Sequence, residues 1–128
     1  GTFSNALTYW TAEQHDTARA SFTRTYDFTN SQPSARITVT NLGSASWHIQ
    51  FNQTGLRITN GHTYTISFWA KSSPATNFDA SLMQAHADWL NAGYGRNMTL
   101  STNWQRFTNT FQANMTDSNV RTSMPSWM

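Results

Sequence analysis

The stretch SWHIQFNQ at residues 46–53 alternates between two kinds of side chain. Its apolar positions are Trp47, Ile49 and Phe51, and its polar positions are His48, Gln50 and Asn52. Because successive side chains of a β-strand point to opposite faces, this pattern predicts a strand with one face in a core. Its other face carries an imidazole and two amides, which is an unusual set for an idle solvated surface.

The same period-two alternation returns in other short segments. They are residues 35–40 (ARITVT), 64–71 (YTISFWAK), 78–83 (FDASLM) and, less cleanly, 104–111 (WQRFTNTF). Turn signals separate them, at NLGSAS (41–46), TNGH (59–62), SSPATN (72–77), NAGYGRN (91–97) and TDSN (116–119). Only TAEQHDTARA (11–20) suits a helical turn or a loop. The pattern predicts an all-β chain, an antiparallel β-sandwich or jelly roll with a single domain over residues 1–128.

Composition argues against two classes of partner. Charged residues make up 11% of the chain and the formal net charge is +2. The arginines are scattered, whereas a nucleic-acid surface needs clustered Lys and Arg to neutralise phosphates. No apolar run reaches the length of a membrane span, and the chain has no cysteine for a disulfide or a thiolate site. We therefore predict no nucleic-acid partner and no membrane partner.

Carboxylates are too few and too dispersed to predict catalysis. Glu13 is the single glutamate, and no aspartate is paired with another acid at strand spacing. Glycoside hydrolysis needs two carboxylates facing each other across the scissile bond, and the histidines lack metal-ligand spacing. The sequence predicts that the protein is not an enzyme. The least favoured alternative is a small glycan-cleaving enzyme that uses Asp88 with Asp79 or Glu13.

Two segments carry the side chains that suit sugar binding. The polar positions of residues 46–53 are one set, and QAHADW at residues 84–89 adds a second imidazole and an indole. Planar polar groups can bond to sugar hydroxyls while an exposed indole stacks on the C–H face of the ring. The alternative is that these polar side chains are merely solvated, as most outward-facing strand residues are.

Several segments also resemble carbohydrate-binding modules of the family four, nine, sixteen and twenty-two group. They are GTFSNALTYW (1–10), SWHIQFNQTGLRITNGHTYTISFWAKSS (46–73), SLMQAHADW (81–89), YGR (94–96), TNWQRFTNTF (102–111) and NVR (119–121). The resemblance implies a non-catalytic β-sandwich that binds a β-glucan, xylan or mannan chain in a cleft on its concave sheet. It also implies a secreted, extracellular protein in which the module targets an attached glycan-degrading enzyme. A structural jelly-roll accessory domain without a ligand is the alternative.

The resemblance assigns roles to particular residues. It implies that Trp47 and Trp89 stack on sugar rings and that Gln50, His86 and Arg121 are polar cleft residues. With His48 from the alternation, the predicted ligand-binding set is Trp47, His48, Gln50, His86, Trp89 and Arg121. Strict alternation would instead put Trp47 on the core face, so a twist or bulge is needed there.

Other aromatic and cationic residues receive secondary roles. Tyr94 and Arg96 are expected to share a loop at the rim of the site. The tryptophans expected in the core are Trp10, Trp69 and Trp104, whereas Trp127 suits either role. The net positive charge also leaves an acidic, uronic-acid polymer open as a ligand.

The chain departs from the family pattern at two points. Relatives end in a strand reading roughly I-D-x-V-x-L, and the sequence through SMPSWM (123–128) has no such strand. An open sheet edge allows a strand-exchanged dimer. Relatives also often hold a structural calcium ion, but Ser4 stands where an acidic residue is common. No cofactor is therefore predicted to be required, and the resemblance leaves the metal content undetermined.

Overall fold

The computed structural model describes residues 3, 7–28 and 32–125. These residues form nine strands and one short 3₁₀ helix, with no α-helix in the described ranges. The strands are β1 (Thr11–Gln14), β2 (Arg19–Thr25), β3 (Ser34–Asn41), β4 (Ile49–Ile58), β5 (Thr63–Ala70), β6 (Thr76–Gln84), β7 (Asn91–Leu100), β8 (Gln105–Gln112) and β9 (Asp117–Pro125). The 3₁₀ helix, Ser46–His48, directly precedes β4. None of the described helices is long and apolar enough to cross a membrane.

Every pairing between the described strands is antiparallel. One sheet has five strands in the order β1-β4-β9-β6-β7, and the strand pairs β2–β3 and β5–β8 form two further sheets. The predicted all-β, antiparallel sandwich is therefore confirmed. The pairing of β4 with β9 joins segments about 70 positions apart in sequence, which local patterns cannot specify.

The core lies between the five-stranded sheet and the β5–β8 pair. The five-stranded sheet contributes the buried residues Ile58, Phe78, Ala80, Leu82, Tyr94 and Val120, and the opposing strands contribute Tyr64, Ile66, Phe68, Phe107 and Phe111. A second apolar cluster surrounds Phe51, whose ring stacks on Trp10 at 4.7 Å and on Phe22 at 5.9 Å. The alternating apolar positions of the sequence thus supply the inner faces of the sandwich.

Two segments do not have the predicted local structure. Residues 11–20 are not a single helical turn or loop, because β1 and the start of β2 lie on either side of a short turn at residues 15–18. The expected turn at 91–97 is wrong as well, since it belongs to β7. A Cβ atom added to Gly93 would lie 2.5 Å from the Gln112 carbonyl oxygen, and Gly93 has a φ of +110°. This glycine permits a close approach of β7 to the end of β8 rather than a reversal of the chain.

Tyr94 and Arg96 consequently lie on a strand and not on a rim loop. Tyr94 is fully buried in the core, so its predicted place at the rim is wrong. Arg96 is exposed, with its guanidinium 5.9 Å from the centre of the Tyr94 ring. The edge position of β7 lets this long side chain reach solvent beside the core.

The tryptophans assigned to the core divide into two groups. Trp10 stacks on Phe51, and Trp104 is half-buried with its indole N–H donating to the Asp27 carbonyl at 3.0 Å. Trp69 is 49% exposed, so the expectation of a core position is wrong. It alternates with Phe68 on β5 and therefore points outward. Trp127 lies outside the described residues.

Candidate functional site

One face of the five-stranded sheet points away from the core and is lined mainly by polar side chains; we call it the polar face. Cross-strand register places Glu13 opposite Gln50, and Asn52 opposite Ser123, which in turn is opposite Ser81. Ile49 and Phe51 alternate with these positions and are buried on the core side. The polar face comprises Glu13, Gln50, Asn52, Asp79, Ser81, Met83, Arg121 and Ser123. Most of its members are therefore brought together by strand pairing alone.

A hydrogen-bonded network around Glu13 forms the floor of this face. The Oε1 atom of Glu13 accepts from Asn52 Nδ2 at 2.7 Å and from the Arg121 guanidinium at 3.1 Å. Its Oε2 atom lies 3.0 Å from His15 Nε2. The Arg121 side chain is 11% exposed, so its charge is largely removed from water and needs this carboxylate. Sequence reasoning assigned Glu13 no binding role, because its partners are distant in the chain.

Gln50 strengthens the same floor. Its Nε2 atom donates to the Trp47 carbonyl at 2.8 Å, and its Oε1 atom accepts from the Ser123 hydroxyl at 3.1 Å. Gln50 is only 4% exposed. The expectation that its amide opens to solvent is therefore wrong, and in this structure the amide braces the backbone beneath Trp47.

Trp47 lies at one end of the polar face with its indole 54% exposed. It belongs to the 3₁₀ helix, so the strand alternation that would have buried it begins only at Ile49. Its ring lies 5.3 Å from the ring of His15, which extends the Glu13 network to the indole. Trp47 is therefore exposed, as the family resemblance implies, and does not lie on the core face that strict alternation predicts.

His48 is placed differently from the expectation. It is 5% exposed, so the predicted solvent-facing imidazole is wrong. Its Nδ1 atom accepts from the Ser44 backbone N–H at 3.3 Å, and its ring edge packs against Trp47 at 4.4 Å. Gly43 leaves room for this inward position, since a Cβ there would lie 2.7 Å from His48 Nδ1. The 3₁₀ turn is the physical reason, because it breaks the two-residue period.

Trp89 lies in the loop between β6 and β7 and is 50% exposed. The Arg121 guanidinium stacks 5.0 Å from the centre of its ring, so one face of the indole is supported from the polar face. The loop is held by the Leu90 N–H, which donates to Gln84 Oε1 at 3.1 Å. The structure therefore brings two of the predicted residues, Trp89 and Arg121, into direct contact.

His86 fastens the same loop to β9. Its Nε2 atom is 2.8 Å from Asp117 Oδ2, and its Nδ1 atom is 2.7 Å from the Ala87 carbonyl oxygen. The Ala87 carbonyl and the Asp117 carboxylate raise the pKa of His86 above its ordinary value. The Asn119 backbone N–H, followed by Gln84 and His86, lowers the pKa of Asp117. Since both ring nitrogens have partners, the geometry favours a loop-fastening role for His86 over the predicted sugar contact.

An open groove of about 410 Å³ lies between Trp47 and the neighbouring strands β6 and β7. It is lined by Ser46, Trp47, Asp79, Ala80, Ser81, Gly95, Arg96 and Asn97. Asn97 donates to the Asp79 carboxylate at 2.6 Å, which fixes both side chains at the surface. Sequence reasoning proposed no binding role for Asp79, Ser81 or Asn97. The alternation of residues 78–83 was the signal for the first two, because it placed them on the polar side of β6.

The structural calcium ion of relatives was considered in the sequence analysis from residues near the two ends of the chain. Ser4 lies outside the described residues, as do residues 126–128. Within the described part of the chain, no group of three or more His, Cys, Asp or Glu side chains is arranged to hold a metal ion.

Comparison with solved structures finds similar sandwiches. A structure described as "CBM4 structure and function" is 29% identical, with a TM-score of 0.79 over 97% of this chain and 79% of that one. The enzymatically active domain of tailspike protein 4 from bacteriophage CBA120 is 19% identical, with a TM-score of 0.78. This chain is wholly covered in that match but spans 19% of the tailspike chain. "BiXyn10A CBM1 APO" is 12% identical, with a TM-score of 0.66 over 92% of this chain and 85% of that one.

The similarities to the tailspike domain and to "BiXyn10A CBM1 APO" show only that the fold is shared. No curated protein sequence matches the chain. A family model described as "Carbohydrate binding domain", which groups families four and nine, matches residues 1–125. Because that match covers nearly the whole sequence, this chain belongs to the carbohydrate binding domain family of the four and nine group.

Proposed function

We propose that this domain is a non-catalytic module that holds a polysaccharide chain along the polar face, between Trp47 and Trp89. The observation that carries the proposal is a pair of half-exposed indoles at the edges of one hydrogen-bonded sheet surface. Membership of a carbohydrate binding domain family supports a sugar as the ligand. The proposed ligands are neutral β-linked polysaccharides of the glucan, xylan or mannan type.

Each part of the surface has a distinct proposed task. The two indoles stack on the C–H faces of sugar rings, and each contributes about 1 kcal/mol beyond the area that it buries. Asp79, Ser81 and Asn97 offer donors and acceptors to hydroxyl groups along the groove beside Trp47. The sum predicts dissociation constants in the micromolar to millimolar range, at roughly 4 to 8 kcal/mol.

The state of Glu13 supports binding over catalysis. A general acid needs a proton to give, and a nucleophile needs a free oxygen beside the substrate. Both oxygens of Glu13 already lie within hydrogen-bonding distance of Asn52, Arg121 or His15. The carboxylate is thus held as part of the floor. We further propose that the module is secreted and raises the local concentration of substrate for an attached glycan-degrading enzyme.

Affinity electrophoresis against a panel of neutral and acidic polysaccharides tests this proposal. Wild-type protein is expected to be retarded by at least one neutral polysaccharide. Trp47→Ala and Trp89→Ala should each weaken that retardation about tenfold, since loss of 1–2 kcal/mol changes affinity by that order. The matched controls are Leu42→Ala and Leu90→Ala, which truncate apolar side chains of similar exposure within five positions of each tryptophan in the sequence.

The controls are expected to bind like the wild type. The proposal is overturned if no polysaccharide in the panel is bound, or if both tryptophan variants bind as tightly as their leucine controls. Binding of acidic polysaccharides alone would contradict the proposed ligand class.

A further inference from the structure

We infer that Glu13 is a positioning residue that sets the orientation of both indoles of the polar face through one carboxylate. This inference rests on the proposed function for its consequence in binding. Its structural basis is independent of any ligand, because it concerns which side chains hold Trp47 and Trp89 in the free protein.

One series of contacts, which we call the Arg121 arm, links Glu13 to Trp89. Glu13 Oε1 accepts from the Arg121 guanidinium at 3.1 Å, and that guanidinium lies 5.0 Å from the centre of the Trp89 ring. A second guanidinium nitrogen lies 3.8 Å from Met83 Sδ. An arginine clamped at one end by a carboxylate presents its flat face in a defined direction. Without the carboxylate, Arg121 would lose the anion that fixes this direction.

A second series of contacts, the His15 arm, links Glu13 to Trp47. Glu13 Oε2 lies 3.0 Å from His15 Nε2, and the His15 ring packs at 5.3 Å against the Trp47 ring. Asn52, which donates to Glu13 Oε1 at 2.7 Å, fixes the carboxylate between the two arms. Among the described residues, the charged or titratable groups bonded to Glu13 are Arg121 from β9 and His15 from the turn after β1.

The position of Glu13 in the fold makes this arrangement sensitive to a single substitution. It lies on β1, a four-residue strand at the edge of the sheet that pairs only with β4 among the described strands. Its side chain is 25% exposed, so the carboxylate is partly shielded from water and bonds strongly. It is also the single glutamate in the sequence, and no second glutamate can replace it.

The test uses the indole N–H resonances in ¹H–¹⁵N spectra, assigned by single Trp→Phe variants. Glu13→Gln keeps the size of the side chain and removes its charge. It is expected to shift the indole resonances of Trp47 and Trp89, and to leave those of Trp69 and Trp104 in place. The matched control is Asp16→Asn, which removes the same charge three residues away; the Asp16 carboxylate contacts Ser44 rather than the network.

Binding supplies the second measurement. Glu13→Gln is expected to weaken polysaccharide binding about tenfold, the order expected for a lost charge-assisted hydrogen bond. Glu13→Asp, which retains the charge on a shorter side chain, should restore part of the affinity and part of the shifts. In an Arg121→Lys background, the effect of Glu13→Gln should shrink, because lysine can pair with the carboxylate but lacks the planar guanidinium that joins it to the Trp89 ring.

The outcomes separate this inference from the proposed function. If Glu13→Gln leaves both indole resonances unchanged, or shifts all assigned indoles equally, the inference is overturned. If wild-type protein binds no polysaccharide, the proposed function fails, and the resonances alone still decide whether Glu13 orients the indoles. Shifts without any loss of affinity in a wild type that does bind would overturn the inferred effect on binding.

Discussion

The two outward surfaces of the sandwich carry similar residues but differ in what holds them. On the polar face, Trp89 is 50% exposed and stacks with Arg121. The opposite surface, which we call the outer face, consists of Thr63, Thr65, Ser67 and Trp69 on β5 with Arg106, Thr108, Thr110 and Gln112 on β8. There, Trp69 has nearly the same exposure and lies directly across from Arg106.

The supports of the two indoles are different. Trp69 packs against Phe28 at 5.5 Å, while the nearby Thr65 and Thr110 hydroxyls bond to each other at 3.0 Å. Arg106 is exposed, whereas the side chain of Arg121 is largely buried against Glu13. The exposure of an indole therefore does not by itself distinguish the two surfaces. The polar face differs because a carboxylate–guanidinium network fixes both the indole and the polar groups around it.

The largest expected difference between the faces is in stability. Arg121→Ala removes one partner of a partly buried ion pair and leaves Glu13 without its cation, which should lower the free energy of unfolding by about 2–3 kcal/mol. The corresponding change on the outer face, Arg106→Ala, should cost no more than about 0.5 kcal/mol. Urea denaturation of the two variants measures both values. Equal losses would show that the two arginines are held alike.

The next difference is in polysaccharide binding. Trp89→Ala should weaken binding about tenfold, whereas Trp69→Ala should leave it within about twofold because its indole lies on the other sheet. Isothermal titration with the best-retarded polysaccharide provides the comparison. A comparable loss in Trp69→Ala would mean that the outer face also binds sugar and that the two faces do not differ in binding.

The smallest expected effect is the pH dependence of the loop that carries Trp89. The raised pKa of His86 means that its bonds to the Ala87 carbonyl and to Asp117 stabilise the loop fully below its ordinary pKa of 6.5, and that this stabilisation is lost as pH rises through the raised value. The lowered pKa of Asp117 makes its contribution fully present above 3.8, and that contribution is lost as pH falls through the lowered value. The loop should therefore be held most firmly between pH 3.8 and 6.5.

Amide hydrogen exchange at Trp89 and Leu90, corrected for the intrinsic pH dependence of exchange, measures this effect. Protection should fall as pH rises through the His86 titration, which is followed by the ring-proton shifts of the histidine. His86→Gln should abolish this fall in protection at rising pH, and the exposed His62→Gln should retain it. A wild-type loop whose corrected protection is flat across the His86 titration would contradict the prediction.

Local pattern predicted much of the fold. Residues 35–40 and 78–83 lie within β3 and β6, and the predicted segment 64–71 matches β5 up to residue 70, because each alternates cleanly between apolar and polar residues. β7 was not predicted because its glycines resemble turn signals. Gly93 is required instead because β7 lies close to the end of β8. No local pattern contains that approach. The same limit applies to β1, whose strand character depends on its pairing with β4.

The structure agrees with the predicted environment of some candidate-site residues and not with that of others. The exposure of Trp89 and its position beside Arg121 agree with the predicted set, although the sugar contacts themselves stay a prediction. His48 is buried because the 3₁₀ turn directs its ring inward, where Nδ1 accepts from the Ser44 N–H. Gln50 is buried because its amide bonds to the Trp47 carbonyl and to the Ser123 hydroxyl of a strand distant in sequence. Glu13 was considered only as a weak catalytic candidate, since 39 and 108 positions separate it from Asn52 and Arg121.

The sequence by itself determined that the chain is an all-β sandwich with a polar sheet surface, because a two-residue period assigns each strand residue to one of two faces. It also determined that tryptophan and arginine are available for that surface. Only the tertiary structure decided which polar groups remain free, because hydrogen bonds between distant strands engage Gln50 and Glu13 internally, and the 3₁₀ turn brings His48 to the Ser44 backbone N–H. Burial of a polar group requires a partner, and the partner's identity depends on strand order, which adjacent residues do not encode.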